Sequence, residues 1–183
     1  MMKIWIDAGH GMSNREVGRY DPGACANNRT EAEIALEWAL TGKWVLEQAG
    51  IETYLTRDDD RDSSFVGSRA ANAMQARCTH GISLHMNAGV PQANGTETFY
   101  RDSRDVGLAG TVQAVALSVL KTRDRGLKTE GQSQHSRLAV MDFTPPNCLL
   151  EIGFITNLGD LKRATDRASR IAFWQGIAAA VMG

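Results

Sequence analysis

The segment IWIDAGHG at residues 4–11 joins a short β-forming run to a glycine-rich end that carries a histidine. Downstream, the apolar residues of 33–49 recur at approximately helical spacing, with Ile34, Trp38 and Val45 among them. The sequence therefore predicts a strand, a loop and a helix in succession, which is the repeating unit of α/β proteins.

The same alternation continues along the rest of the chain. Its strand-like runs and helical stretches are IETYLT (51–56), a helix near 65–77, HGISLHM (80–86), TETFY (96–100), a helix near 104–121, LAVMD (138–142), CLLEIGFI (148–155) and a helix near 167–182. We therefore predict one α/β domain over residues 1–183, with a mostly parallel central sheet of about six strands and helices on both faces. The stretch 11–30, rich in glycine and asparagine, is predicted to be a long loop.

Charge and cysteine content narrow the classes of partner. The chain has 20 basic and 21 acidic residues and a formal net charge of -1, which favours neither nucleic acid nor an anionic membrane as a partner. Three cysteines without a CxxC pair predict neither a disulfide framework nor a thiolate metal site. The N-terminal residues lack the pattern of a secretory leader, and no apolar run is long enough to span a bilayer. We therefore expect a monomer that is made in the cytoplasm.

Three polar side chains lie in or directly after predicted strands, near the carboxyl ends of the strands, where α/β proteins bind their ligands. His10 follows the first strand, His85 lies at the end of the third, and Glu151 lies within CLLEIGFI. A single histidine at such a position is more often a hydrogen-bonded loop residue than a metal ligand. A carboxylate among apolar neighbours is costly to bury alone, so Glu151 is either functional or paired with an arginine such as Arg57 or Arg69.

Two histidines and one carboxylate would form a catalytic type of zinc site, which keeps its fourth position open. The start of the first long helix offers two candidate carboxylates, Glu31 and Glu33. Acidic residues are also favoured at a helix start by the helix dipole and by capping, so their position alone leaves both candidates open.

Seven short motifs occur along the chain: DAGHG (7–11), DPGA (21–24), TEAEIAL (30–36), TRDDD (56–60), SRAANA (68–73), ISLHMNA (82–88) and LLEIGFITN (149–157). In this order they resemble the zinc-dependent N-acetylmuramoyl-L-alanine amidases of bacterial cell-wall turnover and phage endolysins. The resemblance implies that Zn²⁺ is bound by His10, Glu31 and His85. Glu31 is preferred because the family's ligand stands five residues before a leucine, here Leu36. The resemblance also implies that Glu151 is the catalytic residue.

The bond implied by the resemblance is the amide between N-acetylmuramic acid and L-alanine, which makes peptidoglycan the expected partner. We expect a phage endolysin that acts on the cell wall after its release from the cytoplasm; the catalytic domain of a longer bacterial cell-wall amidase fits the sequence equally well. Two other functions fit a site of this kind: a zinc carboxypeptidase or aminopeptidase, and a module that binds peptidoglycan without cutting it.

Other polar residues have less definite roles. Asn87, Arg57 and Arg69 are candidates for substrate contact or for support of the ligands. Relative to the family pattern, the stretch SNREVGRY (13–20) is an insertion between the GHG and DPGA motifs, and we expect it to shape the rim of the substrate groove. His80 is interpreted as structural, and His135 is expected in a solvated loop.

Overall fold

The computed structural model describes residues 2–183, which are built around one six-stranded sheet. Its strands are β1 (Lys3–Ala8), β2 (Glu52–Leu55), β3 (His80–Asn87), β4 (Thr96–Tyr100), β5 (Asp124–Thr129) and β6 (Asn147–Phe154). The order across the sheet is β2-β1-β3-β6-β4-β5, and every neighbouring pair is parallel except β6 and β4. The prediction of a mostly parallel sheet of about six strands is confirmed.

Helices cover both faces of this sheet, as predicted. The helices within residues 2–183 are α1 (Glu31–Gln48), α2 (Arg69–Gln75), α3 (Val106–Leu120), α4 (Leu158–Thr165) and α5 (Arg167–Met182). Helices α1 and α3 pack on one face, and α5 lies against both of them. The other face is covered by α2 together with a 3-10 turn at Ala139–Asp142, around the buried side chains of Trp5 and Phe143. None of the helices in this described part of the chain is long and apolar enough to cross a membrane.

The start of α1 is fixed by local hydrogen bonds. The Thr30 hydroxyl accepts from the backbone N–H of Glu33, and the Glu33 carboxylate accepts from the backbone N–H of Thr30. This capping box satisfies two backbone donors that the first helical turn leaves without partners. Further along, Trp38 is fully buried, and its indole N–H donates to the carbonyl of Ala164. Helix α1 is thereby fixed against the end of α4. Its first residue, Glu31, lies beside the carboxyl ends of the parallel strands.

The prediction of a strand over LAVMD (138–142) is wrong, because most of this segment is the 3-10 turn Ala139–Asp142. Its apolar residues Val140 and Met141 are buried against the sheet face rather than paired within the sheet. A short apolar run has no period that distinguishes the two arrangements. The sixth strand is instead β5, whose sequence DRGLKT is mostly polar because the strand lies at the edge of the sheet.

The stretch 11–30, predicted to be a loop, forms two small hairpins. Gly11–Met12 pairs with Tyr20–Asp21, and Cys25–Ala26 pairs with Arg29–Thr30. Both hairpins lie between the end of β1 and the start of α1, so they connect the two elements that carry His10 and Glu31.

Candidate metal centre and active site

His10, Glu31 and His85 come together where the ends of β1 and β3 meet the start of α1. His10 Nε2 lies 2.9 Å from Glu31 Oε1, and His85 Nδ1 lies 2.7 Å from the same oxygen. One potential ligand atom from each residue lies within 4.8 Å of the others. The two imidazole rings meet edge to face, with their centroids 5.0 Å apart. The three residues predicted as metal ligands therefore form one compact cluster.

Two glycines make the close packing of this cluster possible. A Cβ added to Gly9 would lie 2.5 Å from Cε1 of the His85 ring, which is closer than real Cβ atoms approach. A Cβ added to Gly23 would lie 2.6 Å from Oε2 of Glu31, and Gly23 also has a φ of +64°, where side chains are strained. The histidine rings and the Glu31 carboxylate fill the space that side chains at these two positions would need. The cluster can therefore pack in this way only if the GHG and DPGA motifs keep these glycines.

The choice between Glu31 and Glu33 follows from where each carboxylate points. Glu31 is buried and directed at both histidines, whereas Glu33 is exposed and caps the helix. Backbone donors also fix the Glu31 carboxylate: Oε1 accepts from the N–H of Met86, and Oε2 accepts from the N–H of Ala24. The structure thus places Glu31 in the cluster and Glu33 outside it.

The electrostatics of the cluster favour an anionic Glu31. Although burial acts in the opposite direction, hydrogen bonds with His10 and His85 hold the pKa of Glu31 well below its ordinary value. Two imidazole nitrogens and one ionised carboxylate oxygen form the donor set that suits zinc in catalytic sites. The residues present therefore fit a zinc ion in number, type and convergence.

Glu151 lies in β6, beside His85 of β3 and Glu97 of β4 in the strand register. Its side chain lines the same cavity as the histidines, and its Oε2 is buried without a hydrogen-bond partner among residues 2–183. Burial raises the pKa of Glu151 well above its ordinary value, and the nearby negative charges of Glu31 and Glu97 act in the same direction. Its raised pKa means that this carboxyl group holds a proton more readily than an ordinary glutamate does.

The alternative interpretation of Glu151, a salt bridge to Arg57 or Arg69, is wrong. Arg57 is buried and donates to the carbonyl oxygens of Ala8, Gly9 and Ala32, and it pairs with Asp60.

Arg69 is also buried. It pairs with Asp7 at 2.9 Å and donates to the carbonyl oxygens of Ala8 and His10. These contacts give both arginines a supporting role, because they hold the backbone turn that carries His10.

This turn has an unusual backbone. His10 has a φ of +62° and Gly11 a φ of +98°, both in the left-handed region. For His10, which has a side chain, such a conformation persists only where the surroundings fix it, and the guanidinium groups of Arg57 and Arg69 supply that restraint.

Asn87 belongs to a second polar network, which sequence reasoning missed. Its side-chain amide donates to Glu97 Oε1 at 2.9 Å, and Glu97 Oε2 accepts from Arg125 and Lys128, each at 2.6 Å. Although burial acts in the opposite direction, these partners hold the pKa of Glu97 below its ordinary value. The sequence signal was a carboxylate within the predicted strand TETFY. This network acts on the pKa of Glu151 in both directions, since the negative charge of Glu97 raises it and the positive charge of Lys128 lowers it.

Asp21 is a further residue that the sequence analysis did not single out, although its DPGA motif was noted. Its Oδ2 lies 3.1 Å from Nδ1 of His10, on the side of the ring that faces away from Glu31. Although burial acts in the opposite direction, hydrogen bonds from Gly23, Asn14 and His10 lower the pKa of Asp21 to about 2. His10 is therefore held between two carboxylates.

A cavity of about 770 Å³ opens above the cluster. Its lining includes Asn14 and Arg15, most residues of the segment 132–140, and Glu97, Leu149 and Glu151 in the sheet. His135 is exposed, as expected, and it also lines this cavity. His80 lies at the opposite end of β3 from His85, against Thr79, which agrees with a structural role.

Comparison with known proteins gives the same family as the motifs. The family model described as N-acetylmuramoyl-L-alanine amidase matches residues 4–182. The uncharacterized protein YqiI of Bacillus subtilis is 34% identical over 164 residues, which are 86% of this chain and 72% of YqiI. The N-acetylmuramoyl-L-alanine amidase LytC of Bacillus subtilis is 31% identical over 166 residues, which are 87% of this chain but only 31% of LytC.

A solved structure with the same fold is the catalytic domain of CwlV, an N-acetylmuramoyl-L-alanine amidase from Bacillus (Paenibacillus) polymyxa var. colistinus. It aligns with a TM-score of 0.85 and 28% sequence identity, covering 100% of this chain and 97% of that domain. The resemblance carried by the seven motifs is confirmed, and the chain belongs to the N-acetylmuramoyl-L-alanine amidase family.

Proposed function

We propose that this chain is a zinc-dependent hydrolase that cleaves the amide bond between N-acetylmuramic acid and L-alanine in peptidoglycan. The observation that carries the proposal is the convergence of His10, Glu31 and His85 beside a cavity whose wall holds the unpaired carboxyl oxygen of Glu151. Membership of the amidase family supports peptidoglycan as the substrate.

The proposed zinc ligands are His10 through Nε2, His85 through Nδ1 and Glu31 through its carboxylate, which are the atoms that face one another. When bound, zinc lowers the pKa of a water molecule and polarises the carbonyl of the amide. The role of the protein is to keep the three ligands in place, through the backbone donors to Glu31 and the two arginines that hold the His10 turn.

Glu151 is proposed as the proton carrier of the reaction. Amide hydrolysis needs a base for the attacking water and an acid for the leaving L-alanine nitrogen, because an amine is a poor leaving group unless it is protonated. One carboxyl group can do both in sequence when its pKa lies near the working pH. The raised pKa of Glu151 and its position in the cavity wall favour this role.

Removal of the metal is expected to abolish activity. Protein dialysed against a strong chelator should lose the ability to clear a suspension of purified cell walls, and one equivalent of Zn²⁺ should restore it. Mg²⁺ should not restore activity, because it prefers a shell of oxygen ligands. Turbidity and the zinc content of the protein would be measured together. Full clearing by demonstrably metal-free protein would contradict the proposal.

The cellular role and the oligomeric state are predictions from the sequence. A phage endolysin, made in the cytoplasm and released onto the cell wall, remains our prediction from the sequence. Monomeric behaviour likewise remains a prediction.

A further inference from the structure

The segment Met12–Tyr20, which contains the insertion predicted to shape the groove rim, has two contrasting parts. Residues 15–19 are exposed, whereas Ser13 and Asn14 are 4% and 3% exposed. A rim that only shaped a groove would not require a buried asparagine. The side chain of Asn14 is instead directed inward, toward the supports of His10.

Asn14 connects two of these supports. Its amide Nδ2 donates to Asp21 Oδ2 at 2.6 Å, and its Oδ1 accepts from Arg69 Nη2 at 2.9 Å. Its own backbone carbonyl accepts from the N–H of Val66 at 2.9 Å, which fixes the position of the residue. Asn14 is therefore a bridge whose donor and acceptor sides face different partners.

Both partners of Asn14 also contact His10. Arg69 Nη2 donates to the backbone carbonyl of His10 at 2.7 Å, and Asp21 Oδ2 lies 3.1 Å from His10 Nδ1. A histidine that ligates a metal through Nε2 carries its proton on Nδ1, and a carboxylate at Nδ1 fixes that tautomer and the orientation of the ring. The backbone and the ring of His10 are thus held by two groups that Asn14 links.

We propose that Asn14 is a positioning residue of the metal centre, which holds the Asp21 carboxylate on the His10 ring and couples it to Arg69. This inference rests on the proposed function, because it takes His10 to be a zinc ligand. Arg15 approaches the same Asp21 oxygen at 3.5 Å, but its side chain is 64% exposed. An exposed ion pair of this kind is weak and mobile, so Arg15 does not replace the buried bond from Asn14.

The test uses the isosteric substitution Asn14→Asp. A carboxylate at position 14 can still accept from Arg69, but it has no N–H for Asp21 and repels that carboxylate. Zinc affinity would be measured by competition with a chromophoric chelator, at a temperature where circular dichroism shows the metal-free protein to be folded. The dissociation constant is expected to rise by about 10- to 100-fold. The visible spectrum of the Co²⁺-substituted protein should also change, because it reports ligand geometry rather than overall stability.

A matched control is Glu16→Gln on the same segment, where the exposed carboxylate pairs with Arg19. This variant should keep the parent's zinc affinity and cobalt spectrum. If Asn14→Asp does not fold, Asn14→Ala is measured in its place, with the same expected loss of affinity.

The outcomes separate this inference from the proposed function. The positioning role would be supported if the Asn14 variant binds zinc at least tenfold more weakly than the parent and has an altered cobalt spectrum, while the Glu16→Gln control is unchanged. Binding within twofold of the parent would overturn it and leave the proposed function intact. A parent chain that binds no zinc would contradict the proposed function itself, and the inference with it.

Discussion

Replacing Glu151 with glutamine is expected to lower turnover on purified peptidoglycan by about 10²- to 10⁴-fold while zinc stays bound, because general acid and base catalysis contributes about that much. The amide of glutamine has nearly the same shape as the carboxyl group, but it cannot take a proton from water and deliver it to the leaving nitrogen. None of the three proposed ligand side chains is changed, so the zinc content should remain that of the parent.

The matched control for this variant is Glu47→Gln. Glu47 is exposed near the end of α1, where its carboxylate accepts from the Thr53 hydroxyl, and it does not line the cavity. The Glu47→Gln substitution should leave turnover unchanged. Turnover and zinc content would be measured on the same preparations. A Glu151→Gln protein that clears cell walls at nearly the parental rate would rule out Glu151 as the proton carrier.

The second large effect is expected from Arg69→Met, which should lower the free energy of unfolding by about 3–5 kcal/mol, as loss of one partner of a buried ion pair does. Asp7, its ion-pair partner, is fully buried and would keep, among residues 2–183, the hydroxyl donors Thr56 and Ser83. The carbonyls of Ala8 and His10 would each lose a donor as well. Urea unfolding followed by circular dichroism would measure the change.

The loss of stability should also depend on pH. In the parent, burial opposes ionisation of Asp7, but the charge of Arg69 holds the pKa of Asp7 below its ordinary value of 3.8. A lowered pKa contributes stability above pH 3.8 that disappears as the pH falls through the folded-state value. Without Arg69, the hydroxyl donors Thr56 and Ser83 would still lower the pKa of Asp7, but burial, the largest effect, would raise it, and the ionised carboxylate would destabilise the fold. The gap in stability between parent and variant should therefore be widest near neutral pH. It should start to close as the pH falls through the raised pKa of Asp7 in the variant, above 3.8, and close further as the pH falls through the lowered pKa of Asp7 in the parent.

Two further variants test the cause of this effect. Arg61→Met removes a guanidinium group that is 90% exposed, and it should change stability by no more than about 0.5 kcal/mol. Adding Asp7→Asn to Arg69→Met should recover part of the lost stability, because it removes the buried charge. An Arg69→Met protein as stable as the parent at neutral pH would show that the buried pair does not hold the β1 end together.

The position of the site was predictable because the carboxyl ends of parallel strands meet at the same end of the sheet, where the polar side chains therefore come together. His10 follows β1, and His85 lies near the end of β3. Since these two strands are parallel neighbours, their pairing was enough to bring the two histidines together. The choice of Glu31 over Glu33 needed the family motif, since the capping role of Glu33 is visible only in the structure.

Other features could not be predicted because they depend on backbone geometry or on contacts distant in sequence. The left-handed backbone at His10 leaves no mark in the composition of the turn. The bridge from Asn14 to Asp21 and Arg69 joins three segments whose proximity follows from the fold. The edge strand DRGLKT lacks the alternation of apolar residues that indicates a strand, while the apolar LAVMD has no period that distinguishes a strand from a turn.

Mass spectrometry of the products released from purified peptidoglycan would test hydrolysis of the bond between N-acetylmuramic acid and L-alanine. We predict intact glycan without stem peptides, together with free stem peptides that begin with L-alanine, and no such products when a chelator is present. Stem peptides that stay attached to the glycan but are shortened from their carboxyl end would instead indicate a carboxypeptidase. Binding to the wall without any new product would contradict the assignment of an enzyme.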